Sequence, residues 1–123
     1  MITGSVNAVL EPIVSLTIHD AGGHPYQVDV VIDTAFNDEL TLPPAVIATL
    51  GLNWQSTRQA QFADGTVQPV DVFTAAIIWD GQPRAVRVFG VDSKPLLGLR
   101  MLADSELRIE VHSGGSVTIQ PIP

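Results

Sequence analysis

Branching at Cβ is the feature that most constrains this chain. Val, Ile and Thr supply 34 of its 123 residues. Such side chains lose rotamer freedom in a helix and pack well on a pleated surface, so they point to an all-β domain. The length suits one compact domain spanning 1–123. At 46% hydrophobic and 15% charged, the chain can bury a core of its own.

The order of residues agrees with this reading. Ile2 to Val9, Ile13 to His19 and Tyr26 to Ile32 read as strands, the last two joined by the turn Asp20-Ala21-Gly22-Gly23-His24-Pro25. Leu40-Thr41-Leu42 reads as a short strand. Pro43-Pro44 then opens a helix over Ala45 to Leu50, and Gly51 closes it. Arg58 to Phe62 and Val67 to Phe73 flank Ala63-Asp64-Gly65-Thr66, an Asp-Gly hairpin pattern. A further hairpin joins Ala75 to Trp79 with Arg84 to Val91. Pro95-Leu96-Leu97-Gly98 leads into a second short helix, Leu99 to Ala103, and Leu107 to Val111 and Ser116 to Ile119 close the chain. Leu42, Val46, Leu50, Leu96 and Leu99 read as core, and Trp54 and Trp79 as packing residues.

Charge and motif content remove several function classes. The formal charge is −7, and the six cations form no basic cluster, so neither nucleic acid nor an anionic membrane is an expected partner. No apolar run approaches the ~20 residues of a membrane span, and Met1-Ile2-Thr3-Gly4 lacks a basic start and an apolar segment. Cysteine is absent. The expectation is a soluble cytoplasmic protein. His19, His24 and His112 lack metal-ligand spacing, so no metal is expected. No phosphate-cradling glycine motif and no Gly-x-Ser-x-Gly elbow occurs. No cofactor is implied.

What remains is Ile32-Asp33-Thr34-Ala35. A carboxylate directly after a buried apolar strand must be hydrogen-bonded, paired or functional. One reading is an Asp-Thr turn capping its own loop; the other is chemistry. The ordered set Val30-Val31-Ile32-Asp33-Thr34-Ala35, Leu40-Thr41-Leu42-Pro43-Pro44, Leu50-Gly51-Leu52, the Gly65-tipped hairpin and Leu97-Gly98 resembles the retropepsin-like aspartic proteases, in particular their small single-domain bacterial members. The resemblance implies a closed β-barrel with a flap hairpin and one or two short helices. It makes Asp33 the catalytic carboxylate, with Thr34 and Ala35 completing the motif and Thr34 bracing two active-site loops across subunits. Phe62, Ala63, Asp64, Gly65 and Thr66 become the flap and cleft. Leu97 and Gly98 support the catalytic loop from beneath.

Peptide hydrolysis by this route needs two carboxylates, and the chain carries one such motif. The second Asp33 must therefore come from another copy, which makes a homodimer acting on a peptide or protein substrate. The terminal strands, Ile2 to Val9 and Ser116 to Ile119, read either as interface elements or as plain edge strands. The chain departs from the family pattern at Ala35, where Gly is usual, and at Asn37 and Leu99, where retroviral members hold an acid and an arginine that pair. A shifted pair, Asp38 with Arg100, is the available substitute, and Asp38 and Glu39 otherwise read as a solvated acidic loop. The same departures leave open a catalytically silent peptide-binding or interaction domain. An acidic carbohydrate-binding domain has only Trp54 and Trp79 in its favour.

Overall fold

A computed structural model describes all of residues 1–123. The strands are β1 (Ile2–Val6), β2 (Pro12–His19), β3 (Pro25–Asp33), β4 (Leu40–Leu42), β5 (Asn53–Gln61), β6 (Val67–Trp79), β7 (Gln82–Gly90), β8 (Leu96–Gly98), β9 (Ser105–Ile109) and β10 (Ser116–Pro121). One helix, α1 (Pro44–Leu50), lies between β4 and β5, and a single 3-10 turn, Leu99–Leu102, follows β8. No helix is long and apolar enough to cross a membrane.

The strands form one sheet in the order β5-β6-β7-β4-β8-β3-β2-β1-β10-β9. An additional pairing, Thr17 to His19 on β2 with Ile78 to Ala76 on β6, curls that sheet back on itself. Strands β6, β7, β4, β8, β3 and β2 thereby close a six-stranded barrel. Its interior is filled by branched side chains, among them Val14, Ile18, Val30, Leu40, Leu42, Ile77, Val88 and Leu97, each essentially buried. Burial of such side chains removes roughly 1.5–3 kcal/mol apiece of apolar exposure, which makes this interior the main stabilising mass of the fold.

Two strands read as separate in the sequence are one. β6 runs unbroken from Val67 to Trp79, and its buried positions change phase between Val72 and Ala75. Phe73, Ala75 and Ile77 face the barrel interior, while Val70 and Val72 face a second, smaller cluster with Phe89. No turn-forming residue falls between them. The expected second helix, Leu99 to Ala103, is a 3-10 turn over Leu99–Leu102, because Ala103 is already extended at ψ 136° and Asp104 takes a positive φ of 60° on the way into β9. Helix α1 forms as expected, with Pro at its first turn and Gly51 closing it in the left-handed conformation at φ 63°.

Three packing expectations need correction. Leu99 is 46% exposed, because the 3-10 turn buries Met101 and Leu102 instead. Trp54 is 60% exposed on the outer strand β5, held by an indole N–H donated to Asp71 at 3.2 Å. The terminal strands are not free edges either. β1 is paired on both sides, with β10 and with β2, and β10 lies between β1 and β9.

Candidate active site

Asp33 is the last residue of β3, where the strand leaves the barrel. Hydrophobic Val30 and Ile32 pin the strand inside, which carries the following carboxylate to the rim in a half-buried position. Its Oδ1 accepts the Ala35 N–H at 3.0 Å, and its backbone carbonyl accepts the Phe36 N–H at 3.2 Å. The turn thus satisfies one carboxylate oxygen locally and presents Thr34 and Ala35 to solvent. Ala35 has no positive φ; among non-glycine residues only Leu10, Asp80 and Asp104 do. The third motif position therefore demands no glycine in this chain.

Leu97 and Gly98 lie directly beside this loop. β3 and β8 run parallel with Ile32 opposite Leu97 and Asp33 opposite Gly98. Gly98 donates its N–H to the Glu39 carbonyl at 2.8 Å, and Leu99 donates to the Phe36 carbonyl at 2.7 Å. A Cβ on Gly98 would sit 1.9 Å from the Asp38 carbonyl oxygen and 2.6 Å from the Phe36 ring. Close backbone approach is what requires glycine here. Buried Thr41 accepts the Leu96 N–H at 3.1 Å and ties β4 to the same strand.

The acidic pair Asp38-Glu39 is not a solvated loop. Glu39 is buried, and its carboxylate accepts the Arg87 backbone N–H at 2.9 Å and faces the Arg84 guanidinium at 3.3 Å. Asp38 accepts from Arg87 Nε at 3.0 Å and lies 3.9 Å from Arg58. Asp38 is thus paired with β7 and β5, and the expected partner Arg100 is exposed on the 3-10 turn without a salt bridge. A buried carboxylate requires such partners, because an uncompensated one costs several kcal/mol. Sequence reading missed Arg58, Arg84 and Arg87; the available sign was a Glu adjoining the apolar run Leu40-Thr41-Leu42, which has to find a cation once buried.

The hairpin of β5 and β6 carries the residues expected of a flap. Its tip is closed by Phe62 N–H to the Thr66 carbonyl at 2.8 Å and Gly65 N–H to the Phe62 carbonyl at 2.9 Å, with Gly65 at φ 85°. Asp64 accepts from the Thr66 hydroxyl at 2.7 Å and the Thr66 N–H at 2.9 Å. Those bonds, the hydroxyl one foremost, hold its carboxyl below the ordinary Asp value. Ala63, Asp64, Gly65 and Thr66 are all exposed.

Phe62 is half-buried and packs on Val70, Val72 and Phe89, as does Phe36 from the Asp33 loop. Phe36 and Phe89 meet edge to face at 5.8 Å, and the Arg58 guanidinium covers the Phe89 ring at 5.9 Å. The structure thus joins Asp33, Thr34 and Ala35 to Leu97 and Gly98 by sheet register. It joins Phe62 to the same loop through an aromatic cluster. Asp33 lines none of three surface depressions, which lie around His19 and Asn53, around Ile47 and Phe73, and between β3 and α1. No group of three or more His, Asp or Glu side chains comes together as metal ligands.

Comparison with known protein families finds none that matches this chain, and no curated protein is significantly similar to it.

Proposed function

We propose that this chain is an aspartic endopeptidase of the retropepsin-like type, working as a homodimer in which each copy contributes Asp33. The observation that carries this reading is the seating of Asp33: a carboxylate at the mouth of a closed barrel, on a loop braced by a glycine that admits no side chain. The tetrapeptide alone fits a local cap. That cap uses Oδ1, and a second oxygen is left for chemistry.

In the proposed reaction two Asp33 carboxyls share one proton, because like charges about 3 Å apart do not both ionise. The ionised member takes a proton from a water, whose oxygen attacks the peptide carbonyl carbon. The protonated member donates to the carbonyl oxygen. The resulting gem-diol collapses as the C–N bond breaks and a proton passes to the leaving amine. No cofactor takes part. Phe62 and the tip from Ala63 to Thr66 would cover an extended peptide, and Leu97-Gly98 would hold the loop from below. A cytoplasmic setting suits a chain without cysteine.

Two departures from the family pattern find physical answers that support the reading. Ala35 needs no glycine conformation. The missing ion pair at Asn37 and Leu99 is replaced by Asp38 with Arg87. The test is cleavage of a diverse peptide library by wild type and Asp33→Asn from acid to neutral pH, read by mass spectrometry. Cuts made only by wild type are expected. Peptides bound but uncut by both proteins would move the chain to a silent peptide-binding module.

A further inference from the structure

The ten-stranded sheet has two outer edges, β5 and β9, and they are built differently. β5 is interrupted by an irregularity between Trp54 and Ser56, a device that blunts edge pairing. β9, Ser105-Glu106-Leu107-Arg108-Ile109, is regular along its whole length and contains no proline, lysine or bulge.

Its hydrogen-bonding parity follows from the pairing with β10. Glu110 donates to the Ser116 carbonyl at 2.9 Å, and Ile122 donates to the Asp104 carbonyl at 2.9 Å. Antiparallel pairs alternate, so Glu106 and Arg108 share the bonded phase with Asp104 and Glu110. The N–H and C=O of Ser105, Leu107 and Ile109 therefore face outward from the sheet edge. Leu107 and Ile109 pack their side chains against the core, while Glu106 and Arg108 are exposed and in no salt bridge.

We infer that β9 is the homodimer interface, pairing antiparallel with β9 of a second copy about a two-fold axis at Leu107. That register sets Leu107 against Leu107 and Ser105 against Ile109 in the outward-bonded phase. It also brings each Glu106 opposite the Arg108 of the other copy. The sequence is thus self-complementary in charge under the one symmetry that an isologous dimer allows. The edge pairing stands apart from the function proposed above, which adds only that the second copy carries its own Asp33.

Charge reversal tests the register. Glu106→Arg leaves two cations facing one another in both halves of the interface, and Arg108→Glu leaves two anions. Each single variant is expected to raise the dimer dissociation constant roughly tenfold or more, read by sedimentation velocity over a concentration series. An equimolar mixture of the two variants restores both opposite-charge pairs and is expected to regain the wild-type constant. Circular dichroism checks that each variant is folded. A monomeric wild type, single variants that dimerise like wild type, or folded variants whose mixture stays monomeric would each overturn the inference. A dimer that behaves as expected but leaves every peptide uncut overturns the protease reading and leaves the interface standing.

Discussion

The Asp33 loop and the β5–β6 hairpin tip face the same aromatic cluster, yet they are held in opposite ways. The loop is fixed by distant parts of the chain: Gly98 beneath it, and Arg87 and Arg84 on Asp38 and Glu39. The tip is fixed by its own neighbours, with Asp64 bonding Thr66 two residues away. Long-range ties resist displacement as long as the barrel is folded, whereas local ties can open without it. A site that needs a rigid carboxylate and a cover able to admit a chain calls for that division.

The contrast can be broken most severely at Gly98. Gly98→Ala drives a methyl into the Asp38 carbonyl and is expected to destabilise the protein by about 3 kcal/mol or more, read by denaturant unfolding. Arg87→Ala removes the Nε partner of Asp38 while the backbone N–H to Glu39 survives. It should cost about 2 kcal/mol and speed amide exchange in Phe36 to Glu39. Arg58→Ala touches a half-exposed guanidinium and should cost under about 1 kcal/mol, loosening the hairpin against Phe89 without moving the Asp33 loop. Exchange that rose equally in both regions would erase the distinction.

The smallest expected effect is a pH response confined to the tip. The Asp64 carboxyl is lowered in the folded chain, so its contribution is complete above the ordinary Asp value of 3.8 and is lost as pH falls through the lower folded value. The Thr66 amide resonance should titrate below 3.8, with Asp64→Asn abolishing the step. A midpoint at or above the ordinary value would contradict the bonding described for the tip.

Local chemistry made most of this legible beforehand. Alternating branched residues marked the strands, Pro44 and Gly51 bounded α1, and Asp64-Gly65 marked the hairpin. Asp33 stood out because a carboxylate adjoined a buried run. The rest depended on contacts far apart in sequence. Asp38 meets Arg87 across 49 positions, and nothing near either residue names the other. The terminal strands read as edges because each ends the sequence, yet ladder pairing places both inside the sheet and leaves β9 outermost. Leu99 read as core from its type alone, and the 3-10 turn rotated it outward.

The most direct test of a site shared between two copies is a mixing titration. Wild type and Asp33→Asn are combined in varying ratio at constant total concentration, well above the dimer dissociation constant and after time for exchange, and peptide cleavage is followed. If only a dimer with two intact Asp33 residues is active, an equal mixture retains about one quarter of the all-wild-type rate, the random-pairing fraction for a two-fold assembly. A rate of about one half, falling linearly with wild-type fraction, would mean that each chain acts alone and would contradict the shared site.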